Sequence, residues 1–362
     1  MSEFQASNFK KENGGTPDLL GKTELTSPYF FVPPSGDTAS RPQSCAPGTL
    51  RFNTDFGTLE VYRGDTIGWE QIQRRDTSGR GIYGLGGFPS YTDSIDFFTI
   101  SSTGNAQDFG NLTITKGFMA AAGSQTRAVF SRSFNGSGNN VMDFVTISQT
   151  GNAVDFGDAT TTSHAPGGCG SSTRGLFGGG ATVNTLEFIT FATTANATDF
   201  GDLYTKRDMG ACSNSTRGVF AGGGDSPQTN EMQFVTMATT GNGIDFGDTT
   251  VATQGLTGSS NSTRGIFAGG YTPTHQNTIQ FIEIATTGNA IDFGDLNFSF
   301  FRGASCSSPT RSVIVEGAGP GNNSRLDFIT IATQGNATDF GDKTSASTQM
   351  SESGTSNAHG GL

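Results

Sequence analysis

The sequence predicts an all-β protein in which six copies of a four-stranded unit close on themselves behind a smaller β-rich N-terminal module. Three observations carry this. Asp-Phe-Gly recurs six times, beginning at Asp108, Asp155, Asp199, Asp245, Asp292 and Asp339, at spacings of 47, 44, 46, 47 and 47 residues. An arginine ladder, Arg80, Arg127, Arg174, Arg217, Arg264 and Arg311, keeps step with it, mostly as Thr-Arg-Gly-apolar-Phe. Between the two, each unit has an apolar run ending in Gly-Asn, or in Ala195-Asn196 in one unit. Self-similarity at such a period marks stacked supersecondary units, none of which buries its apolar faces alone.

Residues 1–75 do not match the repeat. Pro33-Pro34, Arg41-Pro42 and Pro47-Gly48 break helices and mark turns there. After them, 49–53, 58–62 and 69–72 alternate as a short β-meander. Three small strands bury little by themselves, so this module is expected to pack against a partner, another copy or the repeat region itself.

Within residues 76–362 the fifth unit shows the plan most clearly. Residues 264–269 read as strand b, 278–285 as strand c, 290–295 as strand d, and the small residues of 302–307 as strand a. Gly288-Asn289 suits a tight hairpin turn between c and d. Strand c reads as apolar on both faces: Leu186 and Phe188 alternate with Ile189 and Phe191, and Leu326 and Phe328 with Ile329 and Ile331. A sheet buried on both sides implies neighbours on both sides, as between the blades of a β-propeller. The phenylalanine of each Asp-Phe-Gly is then the plug between blades. The first unit opens at Arg80 without a strand a, and residues 348–359 match one, so the C-terminal segment is expected to supply the first blade's inner strand.

Composition narrows the function. The chain has 362 residues, with 53 Gly but also 30 Phe, too many for a solvated tail. A net charge of -11 argues against nucleic acid and anionic membranes as partners. Residues 1–15 lack an apolar leader and no stretch reaches membrane-span length, so the reading is a soluble protein made in the cytoplasm. Cys169, Cys212 and Cys306 occupy equivalent repeat positions, filled elsewhere by Ala122 and Ser259, and read as buried free thiols.

Strands ending in Gly-Gly (Gly86-Gly87, Gly222-Gly223, Gly269-Gly270), followed by an apolar strand, a bulky aromatic, small residues and an Arg, resemble Kelch repeats, with Asp-Phe-Gly in place of the Kelch tryptophan. The resemblance implies a six-bladed Kelch-like propeller, not an activity. The N-terminal stretch, with Arg41-Pro42, residues 48–53, residues 59–62 and Trp69, resembles a hairpin module recurrent in structural proteins of tailed bacteriophages. Joined to repeats such as 285–295, the whole chain is similar to virion structural proteins of marine cyanobacterial phages. This implies a virion component, whether tail fibre, neck appendage or capsid decoration, with other virion proteins as partners and Phe52, Tyr62 and Trp69 in the anchoring module.

Catalytic chemistry is sparse. His164, His275 and His359 fall in loops of different repeats without metal-ligand spacing and read as surface histidines. The carboxylate pair of each Asp-Phe-Gly-Asp invites Ca²⁺, but two carboxylates fall short of the six or so oxygens calcium takes, so turn-capping is the reading, with no cofactor. The arginine ladder is expected to pair with the aspartates between blades. The a–b and c–d turns are nearly constant, whereas the b–c and d–a connections vary and share one end of the unit. Recognition lives on such loops. Phe134, Asn135, Ser226, Gln228, Tyr271, Thr272 and His275 are the candidates, for a partner or a host-surface glycan. The expectation is a non-enzymatic virion structural protein with its propeller displayed; the alternative is a glycan-binding adhesin.

Overall fold

Small residues, an Arg-led apolar strand, a second apolar strand and an Asp-Phe-Gly strand build the same antiparallel sheet six times. The computed structural model describes residues 33–55, 58–66, 68–71, 79–87, 91–181, 183–204, 207–224, 227–321, 324–345 and 353–362. The chain divides into two units, one up to residue 74 and one from residue 75.

The first unit holds β1 (Ser35–Gly36), β2 (Leu50–Asn53), β3 (Thr58–Tyr62) and β4 (Trp69–Gln71) in that order, with β1 parallel to β2. Alternation along β2 and β3 turns Arg51, Asn53, Glu60 and Tyr62 to the buried side. Glu60, fully buried, accepts hydrogen bonds from Arg41 and from Asn53 Nδ2, the latter at 2.9 Å. Tyr62 packs on Trp69 with ring centroids 5.4 Å apart. The opposite face carries the pairs Leu50–Val61 and Phe52–Leu59, and Leu50 is 42% and Leu59 38% exposed. The polarity of this sheet is therefore inverted, with charge inside and aliphatic groups outside.

In the second unit, sheet 1 comprises β5 (Arg80–Gly84), β6 (Thr92–Thr99) and β7 (Gln107–Lys116), completed by a strand from far along the chain. Sheet 2 is β8 (Ala120–Gly123), β9 (Arg127–Phe134), β10 (Gly138–Thr146) and β11 (Val154–Ser163). Sheet 3 is β12 (Gly167–Gly170), β13 (Arg174–Gly178), β14 (Thr185–Thr190) and β15 (Thr198–Asp202). Sheet 4 is β16 (Gly210–Ser213), β17 (Arg217–Ala221), β18 (Glu231–Thr236) and β19 (Ile244–Asp248). Sheet 5 is β20 (Thr257–Ser260), β21 (Arg264–Ala268), β22 (Gln276–Glu283) and β23 (Ile291–Phe300). Sheet 6 is β24 (Ala304–Ser307), β25 (Arg311–Val315), β26 (Arg325–Thr330) and β27 (Thr338–Asp342). The last strand, β28 (Ser353–Ser356), pairs antiparallel with β5 and completes sheet 1. The small-residue strand of the fifth unit is thus Thr257–Ser260; residues 304–307 open the next sheet, because the d–a link crosses between sheets while the a–b turn closes a hairpin.

The first strands touch in the order β8, β12, β16, β20, β24, β28 and back to β8. Six apolar clusters lie between consecutive sheets, including one joining sheets 6 and 1, where Phe340 meets Phe98 at 5.3 Å. Each Asp-Phe-Gly phenylalanine is almost fully buried in such a cluster.

Three features depart from the sequence reading. The ladder arginines do not pair with the aspartates. Each instead donates from Nη1 to backbone carbonyls of the next sheet, as Arg174 does to Ala238 O at 2.8 Å and Arg311 to Ser101 O at 3.0 Å. Each guanidinium also lies 4.5–4.8 Å from the centroid of a phenylalanine in its own sheet. Carbonyls at the strand ends need donors, and a planar cation on a ring supplies them in a fixed direction.

Second, the asparagine of each Gly-Asn joins sheets: its Oδ1 accepts the backbone N–H of residue 111, 158, 202, 248, 295 or 342 at 3.0–3.1 Å. The glycine of Asp-Phe-Gly permits this approach, since a Cβ on any of the six would lie 2.4–2.6 Å from the neighbouring turn's backbone.

Third, strand c is not wholly apolar. It buries Asp96, Asp143, Glu187, Gln233, Gln280 and Asp327 at one repeated position. Each accepts from the preceding sheet, through Thr344, Thr113, Thr160, Tyr204, Thr250 and Asn297 respectively. Burial pushes the Asp96 and Asp327 carboxyls above the usual range. Two of the acids have buried cations: Lys116 lies 2.6 Å from Asp143 and Arg132 2.8 Å from Glu187. Burial lowers the pKa of Lys116, against the pull of Asp143.

Candidate recognition surface at the variable-loop end

At one end of the sheets, the residues entering successive first strands form a backbone collar. Ala165 N–H donates to Phe118 O, Asp208 to Ala165 O, Gly255 to Asp208 O and Arg302 to Gly255 O, at 2.7–2.9 Å. All five residues sit at positive φ, between 56° and 70°. For Phe118, Ala165, Asp208 and Arg302 that conformation costs on the order of 1 kcal/mol or more each, and it persists because the collar bonds impose it. Only glycine at 255 announced this geometry in the sequence.

Arg302 spans the collar. Its Nε and Nη2 donate to the two carboxylate oxygens of Asp208 at 2.7 and 2.6 Å, past the small Gly255. Its guanidinium lies 4.2 Å from the Phe301 ring centroid and 4.7 Å from that of Phe118, which enters sheet 2. Beneath it is a cavity of about 70 Å³ lined by the small first-strand residues. Arg207 adds a second cation 3.2 Å from Asp208.

Two aromatic groups flank this bridge. Phe134 contacts Tyr91 (6.0 Å), Phe118 (6.1 Å) and His164 (4.8 Å). Tyr271 contacts His275 (5.4 Å) and Phe301 (5.8 Å). Through Arg302 they form one half-exposed array across the mouth. Of the candidate residues, Phe134, Tyr271 and His275 belong to it. Asn135 is exposed in the adjoining turn, Thr272 shapes its loop through a backbone bond to Thr274, and Gln228 is half-buried in the β17–β18 connection. Ser226 lies outside the described residues. Sequence reasoning missed Phe118, Phe301, Arg302 and Asp208, which belong to links between sheets rather than to the longest loops. Burial lowers the pKa of His275.

The other end differs. Ser213, Ser260, Ser307 and Ser356 each donate a hydroxyl to the carbonyl of the preceding inner strand, at Gly170, Ser213, Ser260 and Ser307. The two remaining positions are Gly123 and Gly170, where residues 359–361 pass: His359 Nε2 bonds Gly123 O at 2.8 Å and Gly361 lies against Gly170 O, while Gly360 N–H donates to Ser260 O at 2.9 Å. His359 is therefore no surface histidine, and desolvation lowers its pKa to about 4. Cys169, Cys212 and Cys306 line this end as buried thiols; burial pushes Cys169 up to about 12 and raises Cys212 as well. Among the described residues, no three His, Cys, Asp or Glu side chains converge as metal ligands. The first Asp of each Asp-Phe-Gly-Asp is exposed, and Asp245 caps its own turn by accepting from Gly247 N–H at 3.2 Å.

In the first unit, Tyr62 and Trp69 pack on the inner face, where Trp69 Nε1 donates to Pro42 O at 2.9 Å. Phe52 belongs to the outward aliphatic face. Comparison with protein-family models finds no match, and none of the curated proteins matches the chain.

Proposed function

We propose that the chain is a non-enzymatic virion structural protein of a tailed phage of marine cyanobacteria, whose N-terminal sheet attaches to the particle and whose six sheets are the blades of a displayed Kelch-like propeller. The cyclic order of first-strand contacts and the clusters between every consecutive pair of sheets support the six-bladed reading. The observation that carries the function is a contrast between the units. The second satisfies its own sheet faces from sheet 1 round to sheet 6, whereas the first leaves Leu50, Phe52, Leu59 and Val61 on an outward face that a partner would cover. Made in the host cytoplasm, it then resides in the virion beside other virion proteins or a second copy.

The aromatic and cationic array at the variable-loop end favours a second role within the same particle, contact with a host-surface glycan. Cryo-electron microscopy of intact particles tests both. A six-fold lobed disc on the capsid or neck means decoration or architecture; one at the distal end of a fibre makes the array the receptor-facing surface. Absence of the disc from purified particles overturns the virion assignment.

A further inference from the structure

We infer that the mouth formed by Phe118, Phe134, Tyr271, Phe301 and Arg302 binds a carboxylate-bearing saccharide. This deepens the glycan-contact reading above and rests on it. Three observations carry it.

The first is the unused donor of Arg302. In the six ladder arginines Nη1 donates to a neighbouring sheet's carbonyl, as Arg217 does to Ala285 O at 2.8 Å. In Arg302, Nε and Nη2 are held by Asp208, while Nη1 makes no hydrogen bond to the described residues. Its side chain keeps 17% of its surface in solvent. Two rings and a carboxylate thus hold a planar cation rigidly with one edge open, which suits a carboxylate.

The second is the surface around that edge. Tyr91, Phe118, Phe134, Tyr271 and Phe301 are all half-exposed, and such ring faces accept the apolar face of a pyranose. The collar meanwhile pairs its own backbone groups, leaving little for an extended peptide to add to. The cavity beneath is too small to engulf a ligand, so the saccharide lies across the mouth.

The third is charge. The chain carries a net -11, with the paired aspartates of strands d repeated around it. At the mouth, by contrast, Asp208 is met by Arg302 and by Arg207, so the described charges there offer an anion a cation in place of the paired carboxylates.

The test is calorimetric titration of the full chain with an oligogalacturonate and with the same oligosaccharide after its carboxyls are reduced to alcohols. The expected result is binding of the uronate about tenfold or more tighter than of its neutral form. Arg302→Gln with Asp208→Asn, which avoids stranding either charge, should erase that preference, and Phe134→Ala and Tyr271→Ala should weaken both sugars. Equal affinity for the two sugars, or an undiminished preference in the double variant, overturns the inference; the two-sugar comparison on the unaltered chain stands even if the double variant does not fold. Failure to bind uronate, with host adsorption of particles still lost in Phe134→Ala, overturns the acidic-sugar inference alone. Failure of both overturns the glycan-contact reading too. Tight binding of a carboxylate peptide in place of either sugar overturns the saccharide class.

Discussion

The backbone N–H of Asp342 donates to Asn105 Oδ1 at 3.1 Å, across 237 residues of sequence, in the same geometry that joins Asp295 to Asn336. The junction between the last sheet and the first is thus built like the internal ones. Asn289→Ala removes one such bond, to Asp248 N–H, in a partly solvated turn. It should cost about 1 kcal/mol in chemical denaturation, and Asn336→Ala should cost a similar amount.

The two glycines of the inter-sheet clasp should behave oppositely. A Cβ on Gly294 would lie 2.5 Å from Gly335 O, at φ +146°, so Gly294→Ala should destabilise by roughly 2–3 kcal/mol. Gly241 has open space around its Cβ position and no positive φ, and Ala195 fills the equivalent site in another sheet. Gly241→Ala should therefore change stability by less than about 0.5 kcal/mol. Thermal melts of the two variants check the contrast.

Arg132 and Glu187 are both fully buried, and the Arg132 guanidinium also donates to Gly179 O. Arg132→Met alone leaves a carboxylate buried without its cation and should cost about 3–5 kcal/mol. Adding Glu187→Gln should recover most of that, because Gln233 and Gln280 already occupy the equivalent position and accept the same type of bond. If the double variant were no more stable than the single in urea melts, the buried charge would not be the cause.

His359 gives the stability a pH dependence. Its ordinary value is 6.5, and desolvation lowers it to about 4 in the folded chain. Between those values the unfolded chain binds a proton that the folded chain does not, so the His359 contribution to stability should fall as pH drops from about 6.5 to 4 and level off below, while the raised Asp96 and Asp327 carboxyls act in the opposite sense as they protonate. The thiols lining the same end do not titrate in that window, because burial raises Cys169 and Cys212. His359 as a whole is half-buried, so the loss should be roughly 2 kcal/mol rather than the full value of the shift. His359→Gln, which can still donate to Gly123 O, should lose correspondingly less across the same range.

The periodic part of this molecule was legible because each repeat writes its strands in the same residue types. Asp-Phe-Gly, the arginines and the pairing of the C-terminal segment with β5 follow from spacing and from the missing strand of the first unit. What the ladder residues bond to was not legible, since arginine pairs as readily with a carboxylate as with a carbonyl. The buried acids and amides of strand c were hidden inside apolar runs. At the candidate site, Phe134, Tyr271 and His275 stood out as large side chains in variable loops. Arg302 and Asp208 did not, because only folding brings residues 94 apart into a two-bond pair.

Completion of sheet 1 by β28 also bears on how the protein is made. Arg80 N–H donates to Asn357 Oδ1 across 277 residues, so as the chain leaves the ribosome β5 has no inner neighbour until the strands of sheets 2 to 6 have emerged. Sheets 2 to 6 can form in turn behind it, each from contiguous sequence, while the exposed edge of β5 remains open to strands of other nascent chains. Slow translation or crowded polysomes should therefore favour exchanged, domain-swapped assemblies over chains closed by their own β28, with the swap located at this one strand.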